Sequence, residues 1–300
     1  MHQRPLGPFN VTAIGLGCMS LSHAYGTPPP EKDCQALLLK ALDLGYNFFD
    51  TAAIYGMGEN EKLVGKTLMS RRGEFTLCSK GGMGPINRQR VFDSTPAAIK
   101  RDCEDSLKRL GADVIDLYYL HRWDKKTPIE ETVGAMAELI KEGKVKTLGL
   151  SEVSGPTLRK AHKAHPITAV QNEYSVWSRN PEISLLEACR DLGVTLVAFG
   201  SVGRGFLGAK LTSMEGLPQS DIRVSMPRFI GENFQHNLKL LDGLKALARE
   251  AGMNPAQLSL AWTLKQGRDV VSIPGTTRLD HLAENADAAD LAISDDVAKR

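Results

Sequence analysis

The feature that most constrains the fold is a phrase that recurs along the chain: an amphipathic stretch closing on glycine, then a short β-branched or aromatic run. It reads ALDLG then YNFFD at Gly45, SRRG then EFTLCSK at Gly73, and LKRLG then ADVIDLYYLH at Gly111. It returns as LIKEG then KVKTLGLS at Gly143, CRDLG then VTLVAFG at Gly193, and LKQG then RDVVSIPG at Gly267. Glycine just past a helix end supplies the positive φ that closes the last turn, so each phrase reads as a helix handing over to a strand. An opening strand over 11–17 and another over 168–172, after His165-Pro166, bring the strands to eight. Helical patterns separate them over 31–44, 59–70, 96–110, 129–141, 156–164, 181–192, 233–251 and 255–265, and one over 279–289 closes the series.

Regular strand–helix alternation means a parallel sheet. Eight alternations within 300 residues predict a closed (β/α)8 barrel of the TIM type, in the α/β class, rather than a doubly wound open sheet. No Pro/Gly/Ser linker divides the chain, so a single domain over 1–300 is expected. The longest unpatterned stretch, 200–231, follows the seventh strand and is expected at the barrel mouth, because long loops in compact domains are usually functional.

Composition narrows the function. Thirty-seven Lys+Arg against 35 Asp+Glu leave a net charge of +2 with no block of like charges, which argues against nucleic acid as a partner. Hydrophobic content of 42% supports a large core, and no apolar run approaches the roughly 18 residues of a membrane span. Cys18, Cys34, Cys78, Cys103 and Cys189 are widely spread and odd in number, which fits neither a disulfide framework nor a zinc site. With no export signal at the N-terminus, a cytoplasmic protein is expected. His162-x-x-His165 has no acidic third ligand nearby, so no metal is expected, and His2, His23 and His236 show no pattern.

In such barrels the polar residues at the carboxyl ends of strands surround one shared opening. Here those ends carry Asp50, Lys80, His121, Ser151, Gln171, Phe199 and the Pro274-Gly275 turn. Asp50 and Lys80 each follow apolar strand residues, and neither can be buried without a partner, so they are expected to pair. Tyr55, five residues past Asp50, can fold back toward the Lys80 ammonium. A phenol of pKa about 10 is a weak acid at neutral pH, and a nearby cation stabilises the phenolate it leaves. His121 can orient a carbonyl oxygen or relay a proton. Singly each has an ordinary reading: a helix cap, a solvated charge, a loop aromatic, a core histidine. Four complementary groups at or just beyond three successive strand ends make coincidence a poor explanation.

These residues, read with their neighbours, resemble a known family. The segments D50-TAAIY55-G, S79-K80-GG, L120-H121-RWD, G149-LSEVS, A169-VQNEYS, G203-RGFLG and P274-GTTRLDHLAEN285 are similar to those of aldo-keto reductases, of the bacterial branch that also resembles potassium-channel β subunits. The resemblance runs from Val11 to Asp290. It implies Tyr55 as general acid, Asp50 and Lys80 as its tuning pair, and His121 as the fourth member. It also implies NADPH, held without a Rossmann fold; Gly15-Leu16-Gly17 lacks the third glycine and is followed by a Pro-rich loop. Ser151 and Gln171 match positions that hydrogen-bond the nicotinamide carboxamide. Phe199 takes the place of a tyrosine that stacks on the ring, and Ser201, Gly203 and Gly205 match the pyrophosphate loop. Gly275, Thr276, Thr277 and Arg278 suit a ribose 2′-phosphate, which favours NADPH over NADH. His281 stands near that phosphate, and Glu284 and Asn285 match the pair that meets the adenine.

The implied activity is reversible reduction of aldehydes or ketones to alcohols. Tyr25, Met57, Met83, Arg122, Trp123 and Trp177 are candidates for the substrate pocket, although Trp and Met at strand ends equally serve packing. The ending SDDVAKR is shorter than the helix or tail usual in that family, implying a more open pocket. Two rival functions stand beside this one: a nucleotide-occupied regulatory subunit like the channel partners, and a Schiff-base lyase using Lys80. A small-molecule carbonyl or alcohol is the expected partner, and a homo-oligomer stays open.

Overall fold

The computed structural model describes residues 1–86 and 89–300. Strands β1 (Gln3–Leu6) and β2 (Phe9–Thr12) pair antiparallel, and β3 (Leu16–Gly17) opens the main sheet. It is followed by β4 (Phe48–Asp50), β5 (Thr76–Gly81), the hairpin β6 (Met83–Ile86) and β7 (Gln89–Phe92), then β8 (Ile115–Leu120), β9 (Val145–Ser151), β10 (Ala169–Glu173), β11 (Thr195–Phe199) and β12 (Val270–Ser272). The eight-stranded sheet runs β3-β4-β5-β8-β9-β10-β11-β12, all parallel. A parallel bridge between Ile14 and Ser272 joins its two edges, so the sheet closes on itself as a (β/α)8 barrel.

The surrounding helices are α1 (Glu31–Asp43), α2 (Glu59–Leu68), α3 (Pro96–Leu110), α4 (Ile129–Lys141), α5 (Gly155–Ala164), α6 (Leu185–Leu192), α7 (Gly231–Leu238), α8 (Leu240–Glu250), α9 (Pro255–Lys265), α10 (Leu279–Ala288) and α11 (Asp295–Lys299). Local chemistry sets several of their ends. Thr95 caps α3 by accepting from Ala98 N, Pro96 occupies the first turn, and Gly111 ends the helix at φ 63. Asn254 and Gln257 form a reciprocal capping box on α9. None of the helices among the described residues is long and apolar enough to cross a membrane.

Two apolar layers result. Inside the barrel, Phe48, Cys78, Leu117, Tyr119, Ala169, Val197 and Val271 project inward, and Leu6 and Val11 of the β1–β2 hairpin close the floor below them. Arg4 holds that hairpin in place by donating to Gly267 O and Val270 O beside the start of β12. The larger layer lies between sheet and helices, from Ile14 and Leu37 through Leu148 and Leu158 to Leu260 and Leu282.

Several boundaries differ from the sequence reading. The strand expected over 11–17 is divided, because Phe9–Thr12 serves the floor hairpin, while Leu16–Gly17 pairs with β4 and Ile14 bridges to Ser272 in the barrel. The helix expected over 59–70 passes into a 3-10 segment at Met69–Glu74. The one over 181–192 breaks at Ser184, whose φ of −160° is not helical. The one over 233–251 starts at Gly231 and falls into α7 and α8 on either side of Lys239. The stretch over 200–231 contains three 3-10 turns, Gly203–Gly208, Ile222–Ser225 and Pro227–Phe229, built around Phe206 and Phe229 of a separate apolar cluster.

Candidate active site

The strand ends converge as expected. Lys80 at the end of β5 is fully buried, and its Nζ donates to Asp50 Oδ1 of β4, to Thr51 O at 2.9 Å and to Tyr55 Oη at 3.2 Å. Gln171 Nε2 of β10 donates to the other Asp50 oxygen at 2.8 Å, so both carboxylate oxygens are engaged. Tyr55 reaches the cation because the chain behind it turns sharply: Gly56, Met57 and Gly58 all lie in the left-handed region, at φ 55, 57 and 93. A side chain at Gly56 would stand 2.8 Å from Ser22 Cβ, so glycine is what lets this turn press against the loop after β3. His121, at the end of β8, presents its ring edge-on to Tyr55 with centroids 5.8 Å apart.

Burial and the Lys80 charge act on the phenol in opposite directions. Burial pushes the Tyr55 phenol above its ordinary pKa, and the Lys80 charge only partly reverses that, with Asp50 opposing and Arg122 helping. Tyr55 therefore carries its proton throughout the neutral range. Burial also pulls Lys80 toward neutrality, but Asp50 and Tyr55 overcome it and hold the ammonium above the usual lysine range.

A supporting layer was missed from sequence. Asn60, wholly buried at the start of α2, accepts from Thr51 Oγ1 at 2.6 Å and donates to Cys18 O at 2.8 Å and Ser22 Oγ at 2.7 Å. It thus joins the loop after β3 to the residue whose carbonyl holds Lys80. Glu61, equally buried, accepts from Ser79 Oγ and from Arg109 Nε at 2.6 Å, tying α2 and α3 to the strand that bears Lys80. The segment Asn60-Glu61 directly follows the Tyr55 turn, and two adjacent polar residues at the start of an amphipathic helix are the signal that marks them. His23 is the other surprise: its ring packs against Tyr55 at 5.5 Å, tilted by 39°.

The aldo/keto reductase family signature matches residues 13–300, over a barrel that carries this Asp-Tyr-Lys-His cluster. The chain belongs to the aldo/keto reductase family. A probable aldo-keto reductase 1 from Glycine max is 43% identical over 289 residues, spanning 96% of this chain and 83% of the relative. Among solved structures, a glycerol dehydrogenase from Gluconobacter oxydans is similar with a TM-score of 0.89 at 27% identity, covering 99% of this chain and 92% of that one. An aldo/keto reductase from Klebsiella pneumoniae, solved with NADP and acetate, has a TM-score of 0.75 at 28% identity over 97% of this chain and 90% of its own. Membership makes this aldo/keto reductase an NADP-dependent oxidoreductase.

The remaining candidates of this reductase fall into four groups. Near Tyr55 lie Met83, in one apolar cluster with it, and Arg122, whose Nη1 donates to His121 O at 2.6 Å and Ser151 Oγ at 3.0 Å. Met57 is exposed on the Tyr55 turn. Across the mouth, Tyr25 lies under the Arg223 guanidinium at 5.2 Å, and Arg204 rests over the Phe199 ring at 5.8 Å while pairing with Glu173 at 2.7 Å. Ser201 is buried and accepts from Ser272 Oγ at 2.8 Å, so its side chain is used inside the fold. Gly203 and Gly205 take φ 56 and 89. At the α10 end, Gly275 packs against Gly17 O, Thr276 Oγ1 accepts from Arg278 N at 3.1 Å, and Thr277 is exposed. Arg278 is exposed and paired with Asp280, and His281 Nε2 meets Lys210 Nζ at 3.2 Å. Glu284 O accepts from Gln257 at 3.3 Å, and Asn285 is buried. The fourth group stands apart: Trp123 gives its indole N–H to Thr127 O and packs on the core, and Trp177 stacks on Phe206 at 4.4 Å.

Proposed function

We propose that this site reduces aldehydes or ketones to alcohols, and runs in reverse, with Tyr55 as the proton donor. The observation that carries the reading is the buried Lys80 ammonium at 3.2 Å from a phenol that keeps its proton. A carbonyl oxygen that accepts from Tyr55 Oη draws on that proton as negative charge develops on it, and the phenolate left behind faces Lys80. Asp50 and Thr51 O fix Lys80, Gln171 fixes Asp50, and the His121 edge borders the same phenol and orients the carbonyl. The enclosure of Lys80 and Asp50 keeps water from screening this charge.

A bound nicotinamide dinucleotide supplies the hydride. The chain's own donors suit such a group. At the start of α10, Lys210, Arg278 and His281 gather beside Thr276, with Asp280 accepting from Arg278 and from the His281 amide; Lys210 and the Arg278 guanidinium are cations that suit a phosphate dianion. At the mouth, Arg204 Nε is a buried donor with no acceptor among the described residues, beside the left-handed Gly203 and Gly205. We assign Arg278, His281 and Thr276 with Gly275 and Thr277 to the 2′-phosphate end, Glu284 and Asn285 to the adenine, and the loop bearing Ser201, Gly203 and Gly205 to the pyrophosphate. Phe199, Ser151 and Gln171 face the nicotinamide, and the whole chain from 1 to 300 acts as one domain. The Schiff-base alternative needs a neutral Lys80, which Asp50 and Tyr55 oppose.

Tyr55→Phe tests the reading. NADPH oxidation by a panel of aldehydes and ketones is expected to fall by about 10² to 10⁴-fold in kcat, with NADPH binding by fluorescence retained. Undiminished turnover would remove Tyr55 from its role.

A further inference from the structure

Five residues past Tyr55, at the start of α2, Asn60 is wholly buried, a costly place for an amide unless its polar atoms are matched. Both N–H groups and the oxygen are engaged: Nδ2 donates to Cys18 O at 2.8 Å and Ser22 Oγ at 2.7 Å, and Oδ1 accepts from Thr51 Oγ1 at 2.6 Å. Cys18 O can only accept, so the amide has one orientation here. The apolar face that α2 buries is already supplied by Leu63, Val64 and Leu68, and helix packing alone does not call for an amide at this position.

Each partner of Asn60 carries a second contact into the surroundings of the phenol. Thr51 O accepts from Lys80 Nζ at 2.9 Å. Cys18 N donates to Asp50 O at 2.9 Å, at the strand end that bears the carboxylate. Ser22 backs the Tyr55 turn, where a side chain at Gly56 would stand 2.8 Å from its Cβ. One amide therefore braces the supports of Lys80, Asp50 and Tyr55 together. The arm to Thr51 is the most direct: the Thr51 N–H is tied to Cys78 O at 3.0 Å and its side chain to Asn60, so the residue is held from two directions with its carbonyl aimed at Lys80.

We propose that Asn60 is a positioning residue that sets the separation of Lys80 and Tyr55 through Thr51, and with it the stabilisation of the phenolate that develops in the reaction. This rests on the reductase reading of Tyr55. The end of the Lys80 side chain is fixed by Asp50, Thr51 O and Tyr55. Without the bond to Asn60 the Thr51 carbonyl loses its aim, and the ammonium settles toward Asp50, its charged partner. The contact with Tyr55, 3.2 Å in the intact site, then lengthens. At an effective dielectric of about 20, slackening to about 4 Å weakens the hold on a phenolate by about sixfold.

Two variants cut the link at different points. Asn60→Ala removes the hub, and Thr51→Val keeps the shape and the carbonyl while deleting the hydroxyl. With the fastest aldehyde or ketone of the panel, each should lower kcat by about five- to tenfold, with KM and NADPH binding by fluorescence close to the parent. In oxidation of the corresponding alcohol with NADP⁺, where Tyr55 takes up the proton, the apparent pKa of the kcat profile should rise by about 0.8 unit, because a more distant ammonium stabilises the phenolate less. The groups that face Tyr55 are Lys80 and Asp50 from β5 and β4, His121 and Arg122 from the end of β8, and His23 from the loop after β3; neither variant changes any of them, so the shift reads distance. The double variant should be no slower than the slower single one, since both act on one path. A merely structural role would lower the urea midpoint and leave the apparent pKa of the folded enzyme in place. Should Asn60→Ala not fold, the rate and profile of Thr51→Val decide. An apparent pKa that the folded variants do not move, or losses that multiply in the double variant, would overturn the inference while the reductase reading stands. No reduction of any carbonyl compound by the parent would overturn both.

Discussion

Replacing Lys80 by methionine keeps most of the side chain's volume and removes its charge. Lys80 Nζ lies 3.2 Å from Tyr55 Oη. At an effective dielectric of about 20, a unit charge at that distance favours a developing phenolate by about 5 kcal/mol, and the Asp50 carboxylate offsets about half of it. The remaining 2 to 3 kcal/mol or so corresponds to a loss of about 30- to 160-fold in kcat. The same change strands Asp50, which is buried and keeps only Gln171 as a side-chain partner, at a cost of about 3–5 kcal/mol in folding stability. Rate and stability are separable by a second variant, Asp50→Asn with Lys80→Met, which removes the orphan charge. It should regain much of the urea midpoint while the rate stays low. Single-turnover loss of nicotinamide absorbance at saturating NADPH measures the first quantity, and urea unfolding the second. A Lys80→Met rate within threefold of the parent, or recovery of rate in the double variant, would refute the electrostatic argument.

Two further outcomes concern the scaffold. Gly65→Ala puts a Cβ 2.2 Å from Leu110 O where α2 crosses the end of α3. The backbone there cannot give way, so overpacking of about 1–3 kcal/mol should exceed the gain of up to about 1 kcal/mol from replacing a helical glycine, and an unchanged or higher Tm would contradict this. In alkali, burial pushes the Cys103 and Cys189 thiols from 9.0 up to about 12 and raises the Tyr118 and Tyr119 phenols further. Below pH 9 folded and unfolded chains hold these protons alike; above it the unfolded chain ionises first. Stability should therefore be full up to about pH 9 and decline toward pH 12, and a Tm that stays flat through that window would refute it.

The barrel was legible because its repeat unit is local: a glycine stop and an apolar run lie within a dozen residues, as at Gly111 and Ile115–Leu120. The Asp50–Lys80–Tyr55–His121 cluster was legible because strand ends in a barrel meet whatever their separation in sequence. What escaped has no such rule. The hairpin at Met83–Ile86 and Gln89–Phe92 has Pro85 and two glycines near its start, and masks its own alternation. The division of the first strand depends on the floor needing Leu6 and Val11, a tertiary demand. His23 carried no pattern because its contact with Tyr55 is made through the Gly56 turn and the Asn60 hub, which act across 30 or more residues. The effect of the Lys80 charge on the phenol was legible, whereas the burial that outweighs it depends on the packing of the whole residue.

All five cysteines lie buried, and enclosure raises the pKa of each thiol. Aldehydes and ketones are electrophiles that thiolates attack, so an enzyme that reduces them would be exposed to slow self-inactivation by its own cargo. Each thiol, Cys18 beside Asp50 included, is held protonated at neutral pH and so is a poor nucleophile toward them. Covalent capture at sulfur should therefore follow, rather than precede, opening of the fold.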